Sequence, residues 1–285
     1  MKSKTLNALK RDGIALLATA GDTAGTDANL LLAHACGISI AALLASGNTL
    51  CTDEQAAHYT SLLALRQRGM PMAYILESRE FMSLPFLTNS DVLIPRPDTE
   101  TLVETLLHAH EQTPFARGLE IGTGSGCISV ALAHYGRIDM LALDISEAAL
   151  SVARHNAKRN GVQGLVAFLH SDIYGALTRA HQKHFDFIVS NPPYIRTADI
   201  PRLDATVRDY EPHRALDGGE SGLVFYERLA ANGAEYLKSG GRICLEIGHD
   251  QRLAVTQILL SYGFFDIMCK ADLAGLDRVL VASHA

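Results

Sequence analysis

The sequence predicts an α/β protein in which a mostly parallel sheet, covered on both faces by helices, is preceded by a small helical bundle. Three observations predict it. From residue 118 onward, apolar runs of strand length alternate with stretches of helical periodicity. The first 75 residues instead carry leucine and alanine at helical spacing. Two loops rich in glycine or proline follow apolar runs, at the strand ends where open α/β sheets bind ligands. A chain of 285 residues, 48% hydrophobic and 20% charged, can build one large core or two smaller ones.

Taken in order, Lys2, Lys4, Lys10 and Arg11 precede Ile14-Ala15-Leu16-Leu17 and an Ala18-Thr19-Ala20 triplet, which imitates a secretory leader. The apolar stretch is at the lower limit of length for a leader, so an amphipathic first helix is expected. Leu30, Leu31, Ala33, Leu62, Leu63 and Leu65 continue the helical spacing, with Gly21, Gly37, Gly47 and Gly69 as breaks. Residues 30–45 are strongly apolar but are interrupted by His34, Gly37 and Ser39 and are too short to span a bilayer. They are expected to be packed helices, with no membrane association.

From Tyr74 the texture changes. Phe81, Leu84, Phe86 and Leu87, then Val92, Leu93 and Ile94 beyond Asn89-Ser90-Asp91, predict a β-hairpin connector over 76–95. Pro95-Arg96-Pro97-Asp98-Thr99-Glu100 leads into Leu102, Val103, Leu106 and Leu107, so Asp98 or Thr99 is expected to cap a helix. Strands are expected at 118–122, 139–144, 166–170, 185–190, 241–247, 264–269 and 277–282. The predicted domains are therefore a helical domain over 1–75, the hairpin over 76–95, and the α/β domain over 96–285.

A formal net charge of −6 lacks the basic footprint of a protein that binds free nucleic acid, although a local patch is compatible with it. The five cysteines, Cys36, Cys51, Cys127, Cys244 and Cys269, are far apart with no Cys-x-x-Cys pair, and read as buried, reduced thiols of a cytoplasmic protein. Of the twelve histidines, the closest pairs, His108/His110 and His181/His184, lack companion ligands, so no metal is expected.

The most telling stretch is Asn191-Pro192-Pro193-Tyr194, directly after the apolar run 185–189. A residue before proline is pushed into extended geometry, so Asn191 and Pro192 are both restricted, and neither proline donates an N–H. The asparagine oxygen and a free proline carbonyl can together accept both hydrogens of a planar –NH2 group, while the tyrosine ring stacks on its face. The tetrapeptide alone would also fit a plain Pro-Pro turn, the lesser of the two readings.

Earlier, Glu120-Ile121-Gly122-Thr123-Gly124-Ser125-Gly126-Cys127 joins the first long strand to a helix. Its glycines permit a sharp turn and close approach of a ligand to the helix start. The dinucleotide pattern Gly-x-Gly-x-x-Gly has Cys127 at its last position, and there is no Gly-Lys-Ser/Thr of a P-loop. Asp144, about 20 residues on, stands where a carboxylate can accept from both ribose hydroxyls. Asp172 follows the third strand, with Ile173 as an apolar lid for a purine. Each acid alone reads as a surface or cap residue; with the glycines at successive strand ends, the set reads as a nucleotide-type cofactor site.

These motifs resemble, in order, those of class I S-adenosylmethionine-dependent methyltransferases that modify a planar nitrogen. Pro71-x-Ala73-Tyr74-Ile75, Pro95 to Glu100, Glu211-Pro212-His213-Arg214-Ala215-Leu216, Gly218-Gly219-Glu220-Ser221-Gly222-Leu223 and Asp272 to Arg278 narrow the likeness to the peptide chain release factor glutamine methyltransferases, over nearly the whole chain. The family usually has glycine at Glu77, an aromatic at Ile173 and arginine at Leu276.

The resemblance implies a Rossmann-like class I methyltransferase sheet joined by a β-hairpin to a small helical domain that docks the substrate. It implies S-adenosylmethionine as cofactor, held by Gly122, Thr123, Gly124, Ser125, Gly126, Asp144, Asp172, Ile173 and Asn191. The substrate site would be Asn191, Pro192, Pro193 and Tyr194, with Asn191, Pro192 and Tyr194 carrying catalysis. The implied partner is a class I peptide chain release factor, methylated on the glutamine of its Gly-Gly-Gln loop. A ribosomal-protein glutamine methyltransferase is the nearest alternative. A DNA adenine-N6 methyltransferase, which must flip out its base, fits the acidic balance poorly. A cofactor-dependent binding module without transfer activity would be expected to carry a damaged motif, and both motifs are intact.

Overall fold

The computed structural model describes residues 4–18 and 23–285. Lys2, Thr19, Ala20 and Gly21, named above, lie outside the described residues. The chain divides into two compact units, Met1–Glu77 with Asp204–Tyr210, and Ser78–Leu203 with Glu211–Ala285.

The first unit is helical: α1 (Leu6–Leu17), α2 (Ala24–Cys36), α3 (Ile40–Ala45), α4 (Asp53–Gln67) and α5 (Met72–Ile75). Thr5 and Ser39 cap α1 and α3 with their hydroxyls, and Thr52 and Gln55 close a capping box on α4. Leu6, Leu9 and Leu17 make α1 amphipathic, packing with Leu31, Leu32, Leu62 and Leu63 in one core. Inside it, Tyr59 Oη donates to the Ala28 carbonyl at 3.2 Å, and Arg66 Nε donates to Asp27 Oδ2 at 2.8 Å.

The second unit opens with a hairpin, β1 (Arg79–Phe81) and β2 (Leu84–Phe86). It turns at Met82-Ser83, both at positive φ as a two-residue turn requires, and not at Asn89–Asp91 as the sequence suggested. Residues 89–92 instead form an Asx-type turn in which Asp91 N donates to Asn89 Oδ1, and Val92–Ile94 are not a strand. Nor does the hairpin stand apart from the α/β unit: Phe81, Leu84 and Phe86 are buried in one of its cores.

There follow α6 (Pro97–Gln112), β3 (Arg117–Ile121), α7 (Cys127–Gly136), β4 (Asp139–Asp144), α8 (Glu147–Arg159), β5 (Val166–His170) and β6 (Phe185–Ser190). A short helix, α9 (Ala205–Arg208), belongs to the segment grouped with the first unit, where Tyr210 Oη donates to the Arg68 carbonyl at 2.5 Å. Then come α10 (Val224–Tyr236), β7 (Leu237–Glu246), α11 (Arg252–Ser261), β8 (Phe265–Ala271) and β9 (Asp277–Ser283). Asp98 and Thr99 do not cap α6. Arg96 takes the cap position with Pro97 opening the helix, where a missing N–H costs nothing.

The seven-stranded sheet runs β5-β4-β3-β6-β7-β9-β8. β5, β4, β3, β6 and β7 are parallel, while β9 is antiparallel to both β7 and β8. Alternate residues separate two cores. Met140, Ala142, Phe187, Val189 and Cys244 face α6, α7 and the hairpin. Leu143, Ile188, Ile243 and Leu245 face α10 and α11. After β3 the chain adds β4 and β5 on one side and then β6 on the other, so the order reverses between β3 and β6, where a ligand crevice forms.

All five cysteines are free; Cys51, Cys127 and Cys244 are buried, but Cys36 and Cys269 are only half-buried, contrary to expectation. Among the described residues, no helix is long and apolar enough to cross a membrane, and no group of three or more His, Cys, Asp or Glu is placed to hold a metal.

Candidate active site

A cavity of about 530 Å³ opens at the carboxyl ends of β3, β4, β5 and β6, within the range of roughly 300–1,000 Å³ usual for small-molecule sites. Its floor is the loop after β3. Gly122 and Gly124 sit at φ +74° and +53° with nothing within 4 Å of where a Cβ would stand, so the backbone is bare to the cavity. Gly126 differs: it does not line the cavity, and a Cβ there would lie 3.0 Å from the Ala153 Cβ and 3.2 Å from its Cα. The third glycine lets α8 approach the loop.

Asp144 ends β4 and holds that floor in place, Oδ2 accepting from Gly124 N at 2.8 Å and Oδ1 from Ser146 N at 2.9 Å. Each oxygen keeps a lone pair for a diol in the cavity. Burial raises the Asp144 carboxyl's pKa, opposed by the Gly124 and Ser146 amides and by the charge of Arg214, which also lines the cavity. Asp172 is exposed at the rim, paired with Arg228 Nη2 at 2.8 Å. Ile173, buried beside it, takes φ +50°, a strained value for a β-branched residue. The Ser171 hydroxyl braces this turn, donating to the Ile173 carbonyl at 2.8 Å and accepting from Ala176 N.

Across the crevice, Ser190 Oγ donates to the Ile121 carbonyl at 2.7 Å and fastens the end of β6 to the end of β3. Asn191, Pro192 and Pro193 then line the cavity. Asn191 Nδ2 donates to Thr99 Oγ1 at 3.1 Å, while no hydrogen bond from a described residue reaches Asn191 Oδ1. Tyr194 is not part of the cavity wall. Its ring packs against the α10/α11 core, its hydroxyl donates to Glu246 Oε1 at 3.4 Å, and Gln251 Nε2 donates to its carbonyl. The buried carboxylate supplies the partner a half-buried phenol needs, so the ring braces the loop from behind, where stacking on a substrate was expected. Arg96, also on the wall, pairs with buried Glu211 at 2.5 Å, and Glu211 accepts from Ile94 N as well, so the two flanking motifs form one clamp.

Two acids were missed by motif reasoning. Glu120, fully buried in β3, accepts from Thr123 Oγ1 at 2.7 Å and from the Ser129 amide and hydroxyl, while its Oε1 has no partner. Glu246, at the end of β7, likewise has an unpartnered buried Oε2. Burial pushes both carboxyls up to about 7. A signal was present: Glu-Ile-Gly occurs twice, at Glu120-Ile121-Gly122 and Glu246-Ile247-Gly248, placing an ionisable residue inside two apolar strands. Thr99, Arg214 and Arg228 carried no separate signal.

The wall suits S-adenosylmethionine. Bare glycine backbone and Asp144 with spare acceptor capacity match a ribose, Ile173 offers apolar surface to an adenine, and the Asp144 carboxylate offers negative charge to a sulfonium cation. The fold and site together define a class I S-adenosylmethionine-dependent methyltransferase. Residues 97–207 match the methyltransferase small domain and residues 8–76 the PrmC N-terminal domain. A release factor glutamine methyltransferase of Clostridium botulinum is 39% identical over 259 residues, 90% of each chain, and that of Bordetella pertussis is 41% identical over 89% of this chain and 92% of its own. The crystal structure of a methyltransferase from Pyrococcus furiosus shares the fold, with TM-score 0.54 over 77% of this chain and 98% of that one at 16% identity. The chain belongs to the release factor glutamine methyltransferase family.

Proposed function

We propose that this protein transfers a methyl group to the side-chain N5 of the glutamine in the Gly-Gly-Gln loop of class I peptide chain release factors, in the cytoplasm. The observation that carries the chemistry is the open acceptor at Asn191 Oδ1, on a proline-stiffened loop beside the glycine floor. The family relatives carry the choice of substrate.

An amide nitrogen is a poor nucleophile because its lone pair is delocalised into the carbonyl. Asn191 Oδ1 and the Pro192 carbonyl accept its two N–H bonds, favour positive charge developing on nitrogen, and aim the lone pair. S-adenosylmethionine supplies an electrophilic methyl: the N–C bond forms as the S–C bond breaks with its pair left on sulfur, and the nitrogen then loses a proton to solvent. Gly122 to Ser125, Asp144, Asp172 and Ile173 hold the donor. Pro193 walls the substrate channel, and Tyr194 holds the loop. The helical unit is the docking surface for the release factor.

The test offers radiolabelled S-adenosylmethionine to the protein with a release factor, its loop Gln→Ala variant, a ribosomal protein and DNA. Label is expected on the release factor and not on its variant. Label on DNA, or equal label on the variant, overturns the reading. Asn191→Ala is expected to lower kcat by about 10²–10³, and Tyr194→Phe by less than about tenfold.

A further inference from the structure

An asparagine presents an acceptor on one side and two donor hydrogens on the other, and only the acceptor side can receive a substrate –NH2. Something must choose the side. Asn191 Nδ2 meets Thr99 Oγ1, and Thr99 is 2% exposed on the first turn of α6. The same hydroxyl interacts with the carboxylate of Glu246, which is 1% exposed at the end of β7, and favours its charged form. An ionised carboxylate only accepts. The single hydroxyl hydrogen of Thr99 therefore turns to Glu246, its lone pair faces Asn191 Nδ2, and Asn191 Oδ1 is left to the cavity.

The fold gains little from a charge at this place. Glu246 Oε2 has no hydrogen-bond partner, and the carboxylate is met by the Thr99 hydroxyl and a long bond from Tyr194, so a buried carboxylate stands half-satisfied where a neutral amide would cost less. We propose that Glu246 and Thr99 are positioning residues, a one-way relay in which the ionised carboxylate, acting through the threonine hydroxyl, sets the Asn191 amide acceptor-side to the substrate. This rests on the reading of Asn191 as the acceptor of the glutamine –NH2.

The relay has a pH dependence. Burial raises the Glu246 carboxyl to about 7; Thr99, Arg278 on β9 and the Tyr194 hydroxyl favour its ionised form, and Asp98 on α6 opposes it. Tyr226 on α10 and Cys127 on α7 also face it, both held neutral by burial. Once protonated, Glu246 donates to Thr99 Oγ1, Thr99 donates to Asn191, and the amide turns its –NH2 to the cavity, donor against donor.

The experiment measures single-turnover methylation of a release factor between pH 6 and 8. The parent rate is expected to fall on the acid side with a midpoint near 7. Glu246→Gln and Thr99→Val are each expected to lose about tenfold at pH 8 and to lose the acid limb, with affinity for S-adenosylmethionine within twofold of the parent; Thr99→Ser keeps both rate and limb. A parent without an acid limb overturns the relay. So does either Glu246→Gln or Thr99→Val with the limb intact, which would assign the titration to Glu120, and Thr99→Val decides the matter if Glu246→Gln does not fold. If Asn191→Ala itself stays within twofold of the parent, it is the reading of Asn191 that fails.

Discussion

Asp144 Oδ2 accepts the backbone N–H of Gly124 at 2.8 Å, so a carboxylate that lines the cavity also fixes its glycine floor. Asp144→Ala removes a charge-assisted hydrogen bond of about 1.5–3 kcal/mol and frees the loop, so the Kd for S-adenosylhomocysteine is expected to rise at least about tenfold. Asp144→Asn, which keeps one oxygen for Gly124, is expected to fall between. Titration calorimetry on both variants checks the order; a Kd within twofold of the parent for Asp144→Ala would show that the floor holds without it.

Gly124 and Gly126 are two residues apart, yet their substitutions are expected to fail in different ways. Alanine at Gly126 drives its Cβ against the Ala153 backbone at 3.2 Å and sits at φ +82°, so it should destabilise the unit by about 2–3 kcal/mol. Alanine at Gly124 meets nothing within 4 Å and carries only the strain of φ +53°, so it should chiefly weaken cofactor binding. Urea melts beside calorimetry separate the two. Gly126→Ala combined with Ala153→Gly should recover part of the lost stability, because one of the opposing groups is a Cβ.

The strands could be read in the sequence because a parallel sheet covered on both faces leaves continuous apolar runs such as Phe185–Ser190. The Asn191 loop was legible because two prolines restrict it whatever surrounds them. What the chain does not spell out locally is who meets whom. Thr99 reaches Asn191 across 92 residues only because of where α6 and β6 lie in the fold. That Gly126 meets Ala153 of α8 is seen only in the fold. Tyr194 reads as a stacking platform until Glu246 is found beside its hydroxyl. The Met82-Ser83 turn was hidden because neither residue is one that commonly supplies positive φ.

Glu120 predicts a slope of stability with pH. Burial holds its carboxyl near 7 in the folded protein, above the ordinary 4.5 expected when unfolded. Between these values the folded state binds more protons, so this contribution is fully present below about 4.5 and is lost as pH rises through 7. A shift of that size corresponds to roughly 3 kcal/mol. Urea unfolding at pH 5.5 and 8.0 should therefore show the parent losing more stability toward pH 8 than Glu120→Gln does. Equal slopes in the two proteins would place the titration elsewhere.

The helical unit rests on a buried ion pair that can be cut without touching the cofactor cavity. Arg66 Nε donates to Asp27 Oδ2 at 2.8 Å and its Nη1 to the Met70 carbonyl at 3.2 Å, while the Thr23 hydroxyl gives Asp27 its other hydrogen bond. The Asp27 side chain is only 7% exposed, so Arg66→Met strands a carboxylate in the core at a cost of about 3–5 kcal/mol. Arg66→Met with Asp27→Leu removes both charges and should return most of that loss, since replacing a whole buried pair by apolar groups is often close to neutral. No residue of this pair lines the cavity, so the Kd for S-adenosylhomocysteine should stay within twofold in both variants. Methylation of a release factor should fall in the single variant, through KM, and recover in the double. Loss of cofactor binding in Arg66→Met would mean that the two units do not unfold independently, and an unchanged KM would remove the helical unit from substrate docking.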